Sequence, residues 1–230
     1  MARMLFLQGA GRSRLDTYQT VLYVPIMIRN AAATRTRILD SAEQLFLSGG
    51  YAGTSLDAIL SQTGLTKGAF FHHFDSKHEL AHAVIARYAE ADIQLLQDYM
   101  ARAERLSRDP LQQVLILVGL YEEMMDGLTE PFPGCLFASY CYQAGMFDDS
   151  VLSIFRRTIL DWREVLGKKL EAAVELHPPR MPVDVDEVAD AVTVVIEGAF
   201  ILSKSLNDPK LIARQIRHYR NYLELLFGAV

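Results

Sequence analysis

The chain has 230 residues, 50% of them apolar and 22% charged, with two cysteines and a net charge of −5. That mix excludes a disordered, collagenous or coiled-coil chain, two cysteines cannot make a disulfide framework, and the length fits one or two domains. Total charge alone argues against a polyanion partner, but the charge is unevenly placed. Residues 1–88 carry nine Lys/Arg against six Asp/Glu, a net of +3, and residues 89–230 carry 14 against 22, a net of −8. A basic first third on an acidic remainder suits one part meeting a polyanion while the rest does something else.

Residues 1–33 show no sustained helical or strand period. They read as a flexible basic extension, or as sequence upstream of a start at Met27. The longest apolar runs, residues 21–28 and 114–121, are eight residues each, where a membrane span needs about 20. We therefore expect no membrane association and a cytoplasmic protein.

From residue 34 the pattern is helical. Ile38, Leu39, Ala42, Leu45 and Phe46 fall on one face of a helix that Gly49-Gly50 ends. A second helix is expected from Thr54-Ser55, with Asp57 three residues after Thr54 in a capping-box arrangement and Leu56, Ile59 and Leu60 inward. Gly64 closes it. Thr66 caps a short third helix over 67–74 with Phe70 and Phe74 in the core. Ser76 and Glu79 form another capping box and open a long fourth helix through Leu80, Val84 and Tyr88. Two short helices joined by a Gly-containing turn are what a helix-turn-helix requires, and the second of them offers its N-terminal residues to base edges. Here that end reads Thr66-Lys67-Gly68-Ala69: a hydroxyl, a cation and two residues small enough for close approach.

The run Gly50-Tyr51, Thr54-Ser55-Leu56-Asp57-Ala58-Ile59, Gly64-Leu65-Thr66-Lys67-Gly68-Ala69-Phe70-Phe71-His72-His73-Phe74 and Ser76-Lys77-His78-Glu79-Leu80 resembles the N-terminal domain of TetR-family transcriptional regulators. The resemblance implies an all-α protein in three parts. These are an extension over 1–33, a three-helix helix-turn-helix DNA-binding domain over 34–80, and a helical ligand-binding and dimerisation domain over 81–230. It also implies phosphate contacts from Thr54, Lys67 and Lys77, with Gly68, Ala69, Phe71, His72 and His73 at the groove or its walls. Phe71 and His73 stand where the family usually or often has Tyr. A lost phenol removes a phosphate donor, whereas Phe still touches a thymine methyl and His still donates, which leaves the sequence preference open.

The helical period continues to the end. Asp109-Pro110 opens a helix over 111–125. Residues 131–134 break the chain before a short apolar helix over 135–145. Asp149 opens a helix with a stripe of Phe155, Ile159, Trp162, Leu166, Leu170 and Ala173. After a Pro-rich loop at 177–182, Asp184 and Glu187 cap another, and Asp208-Pro209 starts the last. Those two long apolar helices suit a four-helix bundle with a second copy, a homodimer that would set two recognition helices about 34 Å apart on a palindromic double-stranded DNA operator.

Met124, Met125, Phe137, Tyr140, Tyr142, Met146, Phe155 and Trp162 are candidate lining for an apolar or aromatic small-molecule inducer; ordinary core is the plainer reading of each. Pro133-Gly134-Cys135-Leu136 resembles a Gly-Cys-Leu motif of some family branches, in which the Cys lies near the pocket. Cys135 and Cys141 are thus either thiol sensors or inert filler. His78 and His82 share a helix face but lack a third ligand, so no metal is expected. Without a nucleophile elbow, a P-loop or a dinucleotide fingerprint, we expect neither catalysis nor a cofactor. The reading is a ligand-responsive repressor released by its inducer. The alternative is a helical small-molecule-binding or thiol-sensing protein with vestigial DNA contacts.

Overall fold

The computed structural model describes residues 23–228, which are helical with no strand among them. The chain divides into two compact units, residues 1–37 and 38–230. Helix α1 (Tyr23–Gly53) begins in the first, so residues 23–33 are helical where a flexible extension was expected. Pro25 lies in the first turn, where a missing N–H and a fixed φ cost nothing, and Ala31-Ala32-Ala33 are strong helix formers. The remainder of that expected extension, residues 1–22, lies outside the described residues.

The second unit contains α2 (Leu56–Thr63), α3 (Lys67–Phe71), α4 (Lys77–Leu106), α5 (Pro110–Asp126), α6 (Leu136–Tyr142), a single 3₁₀ turn (Ala144–Met146), α7 (Asp149–Leu176), α8 (Val185–Leu206) and α9 (Leu211–Phe227). It has two apolar cores. Ile38, Leu39, Ala42 and Phe46 of α1 pack with Ile59, Phe70 and Phe74, with Leu80, Ala81, Val84 and Ile85 of α4, and with Leu136, Phe137 and Tyr140 of α6. The other core joins Leu96 and Met100 of α4 to α5, α7, α8 and α9 through Val114, Leu117, Trp162, Leu166, Val192, Ile216 and Leu223. One unbroken helix, α4, serves both, so the expected boundary between residues 80 and 81 falls inside a rigid element.

The capping signals act as the sequence implies at α3 and α4, but not at α2, nor at α9, which begins at Leu211 behind Lys210 with no side-chain cap. Thr66 accepts from Ala69 N–H (3.2 Å) and Ser76 from Glu79 N–H (3.0 Å), while Glu79 reaches back to Asp75 N–H (2.5 Å). At α2 the cap is Ser55, which accepts from Ala58 N–H at 3.0 Å; Thr54 is engaged elsewhere. The turn between α2 and α3 depends on Gly64 at φ 65°, a left-handed conformation that an L side chain resists. At the end of α1, Gly50 takes φ 71°, and an added Cβ would lie 2.7 Å from Gln143 Nε2.

Asp109 illustrates how much one cap carries. Its carboxylate accepts from Leu111 N–H (2.8 Å) and Gln112 N–H (3.3 Å) and meets His177 Nε2 at 2.8 Å, tying the start of α5 to the end of α7. Burial alone would raise this carboxyl, but the hydrogen bonds from His177 and the two backbone N–H groups outweigh it and hold it below the ordinary carboxylate range. A lowered folded value contributes stability above the unfolded value, about 3.9, and loses it as pH falls through the folded one. Asp109→Ala should therefore destabilise by about 1–2 kcal/mol at pH 7, a drop of roughly 2–4 °C per kcal/mol in thermal midpoint. The difference from wild type should shrink under acid; a gap that stays constant down to strongly acidic pH argues against this cap.

Candidate functional site

Helix α3 is five residues long and is held by one buried ring of its own, Phe70, with Phe74 just beyond it. The two rings are 5.9 Å apart and leave no exposed surface worth the name. Anchoring from beneath turns the opposite side outward. Thr66, Lys67, Gly68, Phe71 and His72 are exposed, and Ala69 and His73 are half-buried. A Cβ at Gly68 would meet nothing within 4 Å, so nothing in the protein itself requires glycine there. Seven of the nine residues expected at DNA thus share one projecting end of the fold. Chain proximity had suggested this, and the depth of Phe70 makes it firm.

The other two are placed differently. Thr54 is 4% exposed, and its hydroxyl turns inward toward the carbonyls of Gly50 (2.8 Å) and Leu45 (3.1 Å). It closes the kinked end of α1, where Gly50 leaves carbonyls without helical partners, and does not face outward as a phosphate donor. Lys77 donates to the Tyr51 carbonyl at 2.6 Å and sits 4.1 Å from the centre of the Tyr51 ring. Burial pulls its ammonium below the ordinary lysine value. This Lys77–Tyr51 clamp between α4 and the end of α1 leaves no periodic signal, and sequence reasoning missed it.

The basic excess is also displaced from where it was expected. Residues 38–84 hold Lys67 and Lys77 against Asp40, Glu43, Asp57, Asp75 and Glu79, a net of −3, whereas residues 1–37 hold six Arg against one Asp. Arg87, the next cation, bridges Asp40 (2.7 Å) and Glu43 (2.6 Å).

Seven of the nine residues expected around a ligand divide between the two cores. Met124, Met125 and Trp162 belong to the bundle core, and Cys135 touches both. Phe137, Tyr140 and Phe155 lie in the other core. There α6 acts as a joint: Tyr140 donates to Ala81 O of α4 (3.1 Å) and stacks on Phe147 at 4.4 Å, while Phe147 contacts Tyr51 at 4.7 Å. Gln143 Oε1 accepts from Ala52 N–H at 2.8 Å in the same joint. Tyr142 is 83% exposed, because α6 turns Leu136, Phe137 and Tyr140 inward and leaves its other face to solvent, and Met146 in the 3₁₀ turn is exposed as well. Those two side chains do not point toward either core.

Burial pushes the Cys135 thiol up, and the Glu197 carboxylate beside it pushes it further. A reactive thiol needs the opposite. Cys141 is exposed. An open groove of about 710 Å³ between α4 and α7, lined by Ala86, Glu90, Ile93, Ile154, Arg157 and Asp161 among others, includes none of the nine. His78 Nε2 lies 3.7 Å from Asp148 Oδ2, and among the described residues no three His, Cys, Asp or Glu are placed to hold a metal. Nor is any helix among them long and apolar enough to cross a membrane.

An all-helical chain whose α2 and α3 form a helix-turn-helix, seated by α4 on a five-helix bundle, defines a class of DNA-binding regulators. The model of the family described as "Bacterial regulatory proteins, tetR family" matches residues 38–84, and that of the "Tetracyclin repressor-like, C-terminal domain" matches residues 110–219. The chain belongs to the TetR family of transcriptional regulators. It is 27% identical over 190 residues to an uncharacterized HTH-type transcriptional regulator in the lacX 3′ region of Lactococcus lactis subsp. lactis, covering 79% of this chain and 88% of that one. It is 24% identical over 170 residues to the HTH-type transcriptional repressor DhaR of Mycobacterium sp. (strain GP1), covering 74% and 82%. Among solved structures, a TetR-family regulator from Agrobacterium tumefaciens superposes with a TM-score of 0.70 at 21% identity, covering 86% and 100%. The reduced form of NemR from E. coli superposes at 0.66 and 22%, covering 82% and 96%.

Proposed function

We propose that this regulator is a homodimeric repressor that binds a palindromic operator and is released by a small molecule held in its C-terminal domain. The observation that carries the reading is the exposed end of α3, where Thr66, Lys67, Gly68, Phe71 and His72 project from a helix anchored on Phe70. Lys67 would reach phosphate, and Gly68 would let the backbone approach base edges. Thr54 and Lys77 would act at one remove, by fixing the end of α1 against α4. The Arg-rich residues 1–37 would supply the salt-dependent attraction that the helix-turn-helix, net −3 by itself, lacks.

Dimerisation is supported by α8 and α9. Val194 (70% exposed), Ile201 (58%) and Leu202 on α8, with Tyr222 and Leu225 on α9, leave an apolar face uncovered in the protomer. Gly198 lies between Val194 and Ile201 at helical spacing, and a Cβ there would meet nothing within 4 Å. A mid-helix glycine costs roughly 0.5–1 kcal/mol relative to Ala. Close approach of a second copy of α8 would give it a reason.

Gly68→Leu separates a DNA-facing role from a structural one. The new side chain has room in the protein and improves helix propensity, so the thermal midpoint should hold or rise. Affinity for the DNA upstream of its own gene should fall by about tenfold or more, while Lys67→Ala should reduce the salt slope of binding by about 1. Unchanged operator affinity in both variants, measured by fluorescence anisotropy, would remove α3 from the interface.

A further inference from the structure

The buried stripe of α4 runs from Ala89, in the core beneath α3, to Leu96 and Met100 in the bundle core and on to Ala103, and the slot between Ala89 and Leu96 holds an acid, Asp92. Its Oδ2 accepts from Trp162 Nε1–H at 2.6 Å. The Trp162 ring lies 5.1 Å from that of Tyr121, which lies 5.0 Å from that of Tyr99. A second carboxylate, Glu197 of α8, comes near enough to Asp92 and to the Cys135 thiol for its charge to act on both.

Three features of this cluster are unexplained by folding alone. Burial pushes both carboxyls above their ordinary range; the Trp162 hydrogen bond to Asp92 and the Cys135 thiol near Glu197 relieve this only in part. No Lys or Arg among the described residues pairs with either acid. Tyr121 is 5% exposed, and its hydroxyl is buried without a hydrogen-bond partner, in the field of Asp92. Buried polar groups are satisfied in the great majority of cases, and buried charges are paired. A buried phenol left open beside two half-buried acids marks a place completed by something outside the chain.

We propose that Asp92 and Glu197 recognise an organic cation. The ligand's ammonium or amidinium group would sit between the two carboxylates and donate to Tyr121 Oη, with its apolar or aromatic body against Trp162, Tyr121 and Tyr99. Such a ligand supplies the missing counter-charge, and the ring faces reinforce a cation by their quadrupoles. A neutral apolar ligand would leave both acids uncompensated. The inference rests on the reading that the C-terminal domain takes up a small molecule, and it names that molecule's charge.

The position also suggests how occupancy is felt. Asp92 lies less than one turn beyond Ala89, the last residue α4 contributes to the core beneath α3. A cation that draws Asp92 and Glu197 together pulls α4 against α8. Only the arrangement with the acids close gains that energy, and this is the differential affinity a switch requires.

The chain has a single tryptophan, and it is the one bonded to Asp92, so its emission reports the site directly. Phenylbutylammonium, phenylbutanol and phenylbutyrate share a frame and differ in charge. Titrated into the full-length protein, the ammonium should quench Trp162 saturably and bind about tenfold or more tightly than the alcohol, with the carboxylate weakest. Asp92→Asn and Glu197→Gln should each abolish the preference for the ammonium over the alcohol. Equal binding of all three to wild type overturns the cation site while leaving ligand uptake standing. Saturable quenching by none of them overturns both. The wild-type charge series decides the matter even if a carboxamide variant loses its helical signal.

Discussion

Phe70→Ala is expected to abolish operator binding while most of the helical structure survives. Phe70 is fully buried and is the only buried residue of the five that form α3. Its ring meets Phe74 at 5.9 Å and, edge-on, Phe71 at 5.4 Å. Truncating a buried Phe to Ala typically costs about 3–5 kcal/mol. A domain of ordinary stability, about 5–15 kcal/mol, survives such a loss only in part. A five-residue helix has no independent stability, because nucleation alone is unfavourable. The loss should therefore appear first as melting of α3, which presents Lys67 and Gly68. The bundle core draws on none of these residues. Circular dichroism should show a small deficit and a thermal transition of the bundle close to wild type, and anisotropy should show no specific operator complex. A variant that still bound the operator with wild-type affinity would mean that α3 is held in place by contacts other than this ring.

The double change Val194→Asp, Ile201→Asp is expected to produce a folded monomer with operator affinity lowered by about 10²-fold or more. Both side chains are largely exposed in the protomer, and surface substitutions of that kind usually change stability by no more than about 0.5 kcal/mol. Across a two-fold interface each carboxylate would meet apolar surface and its own copy, which costs several kcal/mol by about the measure of a buried unpaired charge. Once the copies separate, each half-site binds alone, and the linkage that commonly multiplies affinity by about 10²–10⁴ is gone. Sedimentation velocity gives the mass and anisotropy the affinity. A dimer that persists in this variant would place the interface elsewhere; Gly198→Leu, which adds bulk without charge, should weaken the dimer in the same direction.

What was legible from the residues follows a simple division. Contacts within a few positions along the chain leave a signature, because caps, glycine turns and apolar periods are read at fixed spacing. So Thr66 at α3, Ser76 at α4, Asp109 at α5, Gly64 in the turn and the stripe from Ile38 to Phe46 all follow from order alone. Thr54 shows the limit of that reasoning. Its spacing to Asp57 imitates a capping box, yet the preceding kink at Gly50 offers its hydroxyl nearer carbonyls, and the cap passes to Ser55. Lys77 likewise looks like a surface cation until the end of α1 folds over it.

The residues expected around a ligand are spread over two cores for a related reason. Residue type marks a side chain as apolar or aromatic but says nothing about which of two cores it enters, and α6 delivers Phe137 and Tyr140 to the core beneath α3. A carboxylate in an inward slot at position 92 was visible in the spacing of α4, but its significance needs Glu197, Tyr121 and Trp162, which come from three other helices. The sequence by itself determined the helices, most of their caps, the family and the end of α3 that projects, since each depends on neighbours along the chain or on ordered motifs. Only the tertiary structure decided that Thr54 and Lys77 serve the joint, that α4 links the two cores, and that two acids meet without a cation. Those outcomes depend on distances between residues as many as 105 positions apart (Asp92 to Glu197), and burial there sets the cost of every unpaired charge.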